Sequence, residues 1–278
     1  KENGENLTVR LGSGKELKTD MVLLSIGVKP ETTLAKQADL TIGKLGGIEV
    51  NDLLQTNDPD IYALGDAIEF ENPITAKKML IPLAGPANKQ GRIVADNIIQ
   101  GNTRKYKGTI GTGIAKVFDL TVASTGVPEK LLSRENIPYT ASITHNSSHA
   151  GYYPGAFPLT IKLLFSPRSG KILGAQIVGY GGVDKRIDMI AAVLKQGGTI
   201  YDLEEIEHAY APPFSSAKDP VNIAGFVAEN IISEKMKIIH WNKLLELDMS
   251  ETVLLDVRTK QEFELGTIEG ALNIPVDQ

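Results

Sequence analysis

The apolar run MVLLSIGV, Met21 to Val28, restricts the choice of fold more than any other segment. The run is nearly continuous, and Pro30 follows closely after its glycine. Such runs are typical of strands buried on both faces, as in the sheet of an α/β protein with helices on both sides. Two later strings, GIEVND and DIYALGD, repeat a short strand followed by a polar turn. The first part of the chain is therefore predicted to be α/β.

A helical period replaces the strand pattern from Pro86 to Gln100, and Gly101 is predicted to close the helix. One face of this helix comprises Ala87, Gly91, Val94, Ala95 and Ile98. Most of these side chains are small, and small residues allow a close approach. We therefore expect another backbone or a flat ligand to lie against this face.

From about Gly108 the sequence becomes rich in strand patterns. GIAKVFDLTVASTGV and LTIKLLFSPRSGKILGAQIVG each predict two strands joined by a turn. The next segment predicts an amphipathic helix, whose apolar stripe comprises Val183, Ile187, Ile190 and Leu194. Its charged side chains are expected to face solvent; they are Asp184, Lys185, Arg186 and Asp188. This part is therefore predicted to be α+β.

The segment YAPPFSSAKDP, Tyr210 to Pro220, lies between two further predicted helices. Asp202 is expected to cap the first of them, and the second resumes after Pro220. Because Pro212 and Pro213 fix φ and lack N–H donors, a helix cannot run through them. The segment is therefore predicted to be a rigid bridge between the helices.

Composition and charge exclude several classes of protein. The chain has 278 residues, of which 42% are hydrophobic and 23% are charged, as in ordinary globular proteins. A net charge of −5 offers no basic surface for nucleic acid or anionic lipid. No apolar run reaches the length of about 18 residues that a membrane span needs. We expect a cytoplasmic protein without nucleic-acid or membrane partners.

The sequence contains no cysteine, which removes disulfide bonds, thiolate metal sites and a cysteine nucleophile from these residues. It contains four histidines, and two of them, His145 and His149, are four positions apart. Turn-forming residues flank this pair, and no carboxylate stands nearby at ligand spacing. We therefore predict no metal site.

The last segment, from about Glu234, has a different pattern. VLLDVRTKQEFELGTIEGALNIP predicts a strand, an acidic turn, a short helix and the start of a second strand. A core of about forty residues is seldom stable without disulfides or a metal. We therefore expect an incomplete domain and an internal piece of a longer protein. Asp256, Arg258 and Glu262 are predicted to form a structural ion network.

The string TNDPDIYALGD carries the clearest chemical signal. A short buried strand is expected to deliver Gly65 and Asp66 at its carboxyl end, where open α/β sheets bind ligands. Glycine lets the backbone approach a ligand closely, and an ionised aspartate accepts hydrogen bonds from sugar-like hydroxyls. The pair is therefore predicted to line a ligand site.

Several strings together resemble one flavoprotein family. TNDPDIYALGD, LLSIGVKPET and IPLAGPANKQGRIVADNI are similar to motifs of the pyridine nucleotide-disulfide oxidoreductases. HAGYYPG, DKRIDM and YAPPFSSAKDP resemble the coenzyme A-disulfide reductase branch, and DVRTKQEFELGTIEGALNIP resembles the first half of a rhodanese domain. The resemblance implies four segments: the end of an NAD(P)-binding domain (1–30), part of an FAD-binding domain (31–107), a dimerisation domain (108–233) and a partial rhodanese-like domain (234–278).

The resemblance also implies roles for matching positions. It assigns FAD binding to Gly65, Asp66, Leu83, Ala84, Tyr210 and Pro213. It assigns the coenzyme A substrate to Asn88, Tyr152, Tyr153 and Lys218. Asp66 would bind the ribityl hydroxyls, and Leu83 and Ala84 would lie near the flavin ring. Tyr152 and Tyr210 would be catalytic, since a tyrosine hydroxyl can donate a proton to a thiolate.

In this branch the tyrosines and the lysine reach into the active site of the partner subunit, so the implied assembly is a homodimer with shared active sites. A lysine ammonium such as that of Lys218 suits the phosphates of coenzyme A. The alternative interpretation is that Tyr152 and Tyr153 are ordinary surface aromatics on a turn and that Lys218 is a solvated lysine.

The implied activity is transfer of hydride from NAD(P)H to FAD and then of electrons, through a cysteine, to a coenzyme A disulfide or persulfide. The required cysteine is not in these residues. Two alternatives stay open: an NADH oxidase or peroxidase of the same family, and a non-catalytic dimerisation module. The sequence does not distinguish NADH from NADPH, or the disulfide from the persulfide.

Overall fold

The structure is a computed structural model that describes residues 7–244 and 246–277. Its strands are β1 (Leu7–Arg10), β2 (Glu16–Thr19), β3 (Ile48–Glu49), β4 (Ile68–Glu71), β5 (Lys78–Met79), β6 (Gly113–Val117), β7 (Leu120–Gly126), β8 (Thr140–Ser147), β9 (Pro158–Phe165), β10 (Ile172–Gly179), β11 (Leu255–Asp256) and β12 (Leu272–Asn273). Its α-helices are α1 (Thr33–Gln37), α2 (Ala84–Gln100), α3 (Glu129–Arg134), α4 (Val183–Lys195), α5 (Ile200–Glu204), α6 (Pro220–Ile232), α7 (Trp241–Leu244) and α8 (Lys260–Leu265). The predicted domain limits at residues 1 and 278 lie outside the described residues.

The prediction of a buried strand at Met21–Val28 is wrong in this structure. β1 and β2 form the expected antiparallel hairpin, but the following residues have no regular structure, and the side chain of Ile26 is 88% exposed. A strand exists only when a neighbour accepts and donates its backbone hydrogen bonds. None of the described residues pairs with this run, so its apolar side chains have no sheet to face.

The next part is a small three-stranded sheet, ordered β3-β4-β5, with helix α2 beside it. β3 and β4 are parallel, and β4 and β5 are antiparallel. Its core joins residues of the sheet, of the loop between β3 and β4, and of α2: Val50, Leu54, Ile68, Phe70 and Val94. The strand expected just before Gly65 is reduced to one bridge between Gln55 and Tyr62, and Gly65–Ala67 is a turn of 3-10 helix.

Helix α2 begins two residues earlier than predicted and ends as predicted at Gly101, whose φ of 81° is left-handed. Its buried residues are Gln90, Val94 and Asn97, which follow each other at helical spacing. Ala95 and Ile98 of the predicted apolar face are exposed. Two buried amides take their place because they bond backbone groups of neighbouring loops, as the Asn97 side chain does with Leu53 and Arg104.

The second half contains a five-stranded antiparallel sheet, ordered β6-β7-β10-β9-β8. Both predicted hairpins are present, as β6–β7 and β9–β10. Helices α4 and α6 pack on this sheet, and the core between them includes the predicted stripe of Val183, Ile187, Ile190 and Leu194. The predicted combination of α/β and α+β parts is confirmed.

Three details of the helices differ from expectation. Arg186 does not face solvent; its side chain is fully buried. Helix α5 is capped by Thr199, and Asp202 is the third helical residue, whose carboxylate accepts a hydrogen bond from the Thr199 backbone N–H. The helix ends at Glu204, well before the two prolines, so a stretch of irregular chain leads into the proline segment.

The last segment has the predicted order of strand, helix and strand, and β11 pairs with β12 in parallel. Arg258 forms an ion pair with Asp256, and the hydrogen bonds from Arg258 hold the pKa of the Asp256 carboxyl at about 2. Glu262 instead accepts hydrogen bonds from Thr259 and completes a capping box. Within the described residues, the helices are too short or too polar to span a bilayer.

Candidate functional site

The first group of predicted site residues surrounds the 3-10 turn. Gly65 has a φ of 77°, and its backbone N–H donates to Oε1 of Gln90 on α2 at 2.7 Å. The space beside it is open, since a Cβ there would meet only the Cβ of Ala87, at 3.9 Å. The Asp66 side chain is exposed and, among the described residues, accepts no hydrogen bond. The turn therefore presents a free carboxylate next to an open stretch of backbone.

The second group lies at the start of α2. Leu83 is the N-cap residue in an extended conformation, and no side chain caps the helix. Asn88 Nδ2 donates to the backbone oxygen of Ala84 at 2.9 Å, and both residues are exposed. Leu83 also lines a cavity of about 350 Å³ between β5 and the five-stranded sheet, together with Gly126. The helix start is therefore accessible, and its amide groups carry the positive end of the helix dipole.

The third group contains two tyrosines from distant parts of the chain. The hydroxyl oxygens of Tyr152 and Tyr210 lie 3.4 Å apart, although 58 positions separate them. This is longer than a usual hydrogen bond between hydroxyls, so each group keeps capacity for another partner. Tyr152 is 78% exposed and Tyr210 48%. The contact with Tyr210 raises the pKa of Tyr152.

The other predicted substrate residues lie near this pair in the chain. The ring of Tyr153 packs edge-on against His149, with centroids 5.9 Å apart. Pro213 and Lys218 are exposed on the segment from Tyr210 to Pro220. That segment contains a hydrogen-bonded turn, in which the backbone N–H groups of Phe214 and Ser215 donate to the carbonyl of Ala211. The prolines are therefore part of an ordered turn that displays polar groups at both ends.

Three buried residues that hold this segment in place were not predicted as functional. They are Arg186, Ser215 and Asp219. Sequence signals for two of them exist. Arg186 is three positions after Val183 and four before Ile190, which places it on the buried stripe of α4. Asp219 precedes Pro220 at the start of α6, the usual position of an N-cap.

The site residues thus form two clusters. One contains Gly65, Asp66, Leu83, Ala84 and Asn88, and the other contains Tyr152, Tyr153, Tyr210, Pro213 and Lys218. Within residues 7–244 and 246–277, no hydrogen bond, ion pair or aromatic contact joins a member of one cluster to a member of the other. Among the described residues, the two clusters therefore do not form one directly bonded site.

Comparison with known proteins gives consistent matches. Residues 1–91 match the family "Pyridine nucleotide-disulphide oxidoreductase", and residues 113–220 match its dimerisation domain. The chain is 36% identical over 227 residues to a coenzyme A disulfide reductase of Staphylococcus epidermidis, a match that covers 82% of this chain and 51% of that protein. The chain therefore spans about half the length of the curated relatives it matches.

Two solved structures are similar over nearly the whole chain. One is the reduced Bacillus anthracis CoADR-RHD, with 52% identity and a TM-score of 0.91, covering 97% of this chain and 48% of that one. The other is a NAD-dependent persulfide reductase from A. fulgidus, with 40% identity and a TM-score of 0.85, covering 95% and 48%. The two family matches together cover more than half of the 278 residues, in the order in which both folds occur here. The chain belongs to the pyridine nucleotide-disulphide oxidoreductase family.

Proposed function

We propose that this chain is part of an FAD-dependent NAD(P)H oxidoreductase that reduces a coenzyme A disulfide or persulfide. The observation that carries the proposal is the contact between the Tyr152 and Tyr210 hydroxyls on two exposed loops. It is supported by the names of the relatives, a coenzyme A disulfide reductase and a persulfide reductase. We place the enzyme in the cytoplasm because NAD(P)H and coenzyme A are intracellular metabolites.

The first cluster fits FAD. A free carboxylate at Asp66 suits sugar-like hydroxyls, and the open backbone at Gly65 allows a close approach. The uncapped start of α2 at Leu83 and Ala84 suits a ring that gains negative charge on reduction. Bound FAD would supply the capacity to accept hydride from NAD(P)H and pass the electrons on.

The second cluster fits a disulfide substrate whose leaving group is a thiolate. Attack of a thiolate on the disulfide sulfur forms one S–S bond, breaks another and expels the coenzyme A thiolate. A tyrosine hydroxyl, which is protonated at neutral pH because the ordinary tyrosine pKa is about 10, donates a hydrogen bond or the proton to that leaving thiolate. Lys218 offers a cation for the phosphates of coenzyme A. The attacking thiol comes from outside residues 1–278, which contain no cysteine.

We propose a homodimer with shared active sites. The match to a dimerisation domain supports the dimer. The separation of the two clusters supports sharing, because the tyrosines of one subunit are free to complete the cofactor cluster of the other. In this dimer we propose that Tyr210 and Pro213 face the FAD of the partner subunit. Asn88 would lie in the substrate pocket, and Tyr153 would lie beside that pocket.

We also propose that residues 234–278 are the first half of a rhodanese-like domain, which would handle sulfur released by the reductase. The parallel pairing of β11 with β12 around α8 supports an α/β start, and Asp256 and Arg258 stabilise it without a catalytic role. Rhodanese chemistry needs a cysteine, and this segment contains none.

The test uses the full-length enzyme that would contain this chain. We expect a yellow protein that oxidises NADH or NADPH in the presence of coenzyme A disulfide or persulfide. Oxygen as the better acceptor by a wide margin would reject the proposal in favour of an oxidase of the same family. A colourless protein that cannot be reconstituted with FAD would favour a non-catalytic dimerisation module.

A further inference from the structure

The two tyrosine-bearing loops meet at a buried arginine. Tyr152 lies in the loop between β8 and β9, and Tyr210 begins the segment that ends at α6. Helix α4 passes beneath both loops and contributes Arg186, whose side chain is fully buried. A buried guanidinium is costly unless its charge is paired and its donors are used. The hydrogen-bond partners of Arg186 therefore identify the segments that this side chain joins.

Every contact of Arg186 leads to one of the loops or to the turn before α4. Its Nη2 donates to the backbone oxygen of Ser148 at 2.8 Å, in the loop of Tyr152. Its Nε and Nη2 donate to the two carboxylate oxygens of Asp219 at 3.1 and 2.8 Å. Its Nη1 donates to the carbonyl of Gly182 at 3.0 Å. One planar guanidinium thus joins the two segments that carry the tyrosines.

Asp219 connects Arg186 to other residues of the segment from Tyr210 to Pro220 and to the start of α6. Its carboxylate accepts a hydrogen bond from Ser215 Oγ at 2.6 Å and from the N–H of Val221 at 3.0 Å. Burial opposes ionisation, but the hydrogen bonds from Arg186, Ser215 and Val221 outweigh it and lower the pKa of Asp219. The backbone oxygen of Ser215 in turn accepts from the N–H of Ala150 at 3.0 Å. The loops are therefore tied to each other as well as to α4.

We propose, resting on the proposed function, that Arg186 and Asp219 are positioning residues for the Tyr152–Tyr210 pair. The ion pair fixes both loops against α4, so that the two hydroxyls meet and Lys218, next to Asp219, keeps its place. An apolar pair of the same volume would fill the space equally well and is often as stable. It would form no hydrogen bond with the Ser148 carbonyl or with Ser215 Oγ, so the fixed position of the two loops is the property that needs these residues.

The test compares Asp219→Asn and Arg186→Lys with Glu129→Gln in the full-length enzyme. Asparagine keeps the size of Asp219 and an oxygen that can accept the N-cap hydrogen bond. Lysine keeps the charge of Arg186 but lacks the planar set of N–H donors that bonds two partners at once. Glu129 forms an ion pair with Lys162 on another side of the same domain, so its variant controls for loss of an ion pair alone. The readouts are the NMR titration of the labelled Tyr152 ring, assigned with Tyr152→Phe, and kcat and KM for coenzyme A disulfide.

We expect both positioning variants to move the Tyr152 titration towards the ordinary pH range of tyrosine. We also expect kcat to fall by about tenfold to a hundredfold, because a misplacement of about 1 Å can cost about 10²-fold. KM should change less, and Glu129→Gln should leave both the titration and kcat unchanged.

An unchanged Tyr152 titration in folded Asp219→Asn would overturn the inference. A shifted titration with unchanged kinetics would support the positioning role and reject the proposed function. If neither variant folds, Ser215→Ala removes a single hydrogen bond to Asp219 and serves for the same titration, with the same two outcomes.

Discussion

The hydroxyl oxygens of Tyr152 and Tyr210 approach each other to 3.4 Å on two exposed loops. This contact raises the pKa of Tyr152 for two reasons. The hydrogen bond with Tyr210 favours the neutral Tyr152 hydroxyl, and a negative charge on an ionised Tyr210 would repel a Tyr152 anion. Two phenols with one shared contact can orient one hydroxyl towards a leaving thiolate while the second steadies it. Under the proposed function, this pair is our candidate for proton transfer to the leaving thiolate.

Replacement of Tyr210 by phenylalanine should separate this role from simple packing. We expect Tyr210→Phe to lower the pKa of Tyr152 towards 10, because its hydrogen-bond partner is lost. Turnover with coenzyme A disulfide should fall by about 10²-fold, the lower end of the effect of a general acid, and flavin binding should weaken by less than turnover falls. NMR titration of labelled tyrosine and steady-state kinetics measure the two effects.

A suitable control is Tyr201→Phe, since Tyr201 has a similar exposure of 44% and lies on α5. It should change neither the Tyr152 titration nor turnover. Unchanged kinetics in Tyr210→Phe would show that its hydroxyl is not a proton donor in the reaction.

Asp66 should govern retention of flavin. Because its carboxylate has no hydrogen-bond partner among the described residues, it is free to accept ligand hydroxyls. Hydrogen bonds to a charged group contribute about 1.5–3 kcal/mol, so Asp66→Ala should weaken FAD binding by about tenfold to a hundredfold. Flavin absorbance after gel filtration and equilibrium titration with FAD measure this loss.

The control is Asp60→Ala, which removes an exposed carboxylate from the same loop. It should retain flavin as the wild type does. If Asp66→Ala also retained flavin at low protein concentration, the FAD-binding role assigned to this turn would be wrong.

Local patterns in the sequence predicted those elements whose partners are near in the chain. The β6–β7 and β9–β10 hairpins and helix α4 occur where expected, because turns and helical hydrogen bonds are local. Met21–Val28 was predicted as a strand but has no partner strand among the described residues, and a strand cannot form alone. Apolar content alone therefore does not decide secondary structure.

The geometry of the candidate site depends on contacts between residues far apart in the sequence, which local sequence patterns do not predict. Tyr152 and Tyr210 are 58 positions apart, and only the fold of the intervening sheet and α4 brings them together. Arg186 was expected in solvent because it is charged, whereas its helical position placed it on the buried stripe. Its burial is possible because Asp219, 33 positions away, neutralises it.

His208 should make the fold sensitive to acid. Both of its ring nitrogens are buried and have no hydrogen-bond partner in the described part of the chain. Burial lowers its pKa; Asp219 opposes this, and the cations of Lys185 and Arg186 add to it. As the pH falls below about 6.5, the unfolded chain therefore takes up a proton that the folded state resists, and stability decreases.

We expect His208→Met to flatten this decrease, because methionine does not titrate. Urea denaturation midpoints between pH 7.5 and pH 5 measure the effect. His145→Met is the control, since the His145 ring is exposed and contacts Thr160, and it should keep the slope of the wild type. An identical slope in His208→Met would show that this ring does not carry the acid sensitivity.

Gly126, at the end of β7, should not tolerate a side chain. Its φ is 76°, and a Cβ there would lie 2.5 Å from the oxygen of Leu173, 2.7 Å from Cα of Gly174 and 2.7 Å from Cδ1 of Leu194. Backbone strain and overpacking each cost about 1–3 kcal/mol, so Gly126→Ala should destabilise by about 2–6 kcal/mol in urea denaturation. Gly197 has nearly the same φ, 77°, but open space around it, so Gly197→Ala isolates the strain and should cost about 1 kcal/mol. Equal losses in the two variants would mean that the packing of β7 against β10 and α4 relaxes to admit the methyl group.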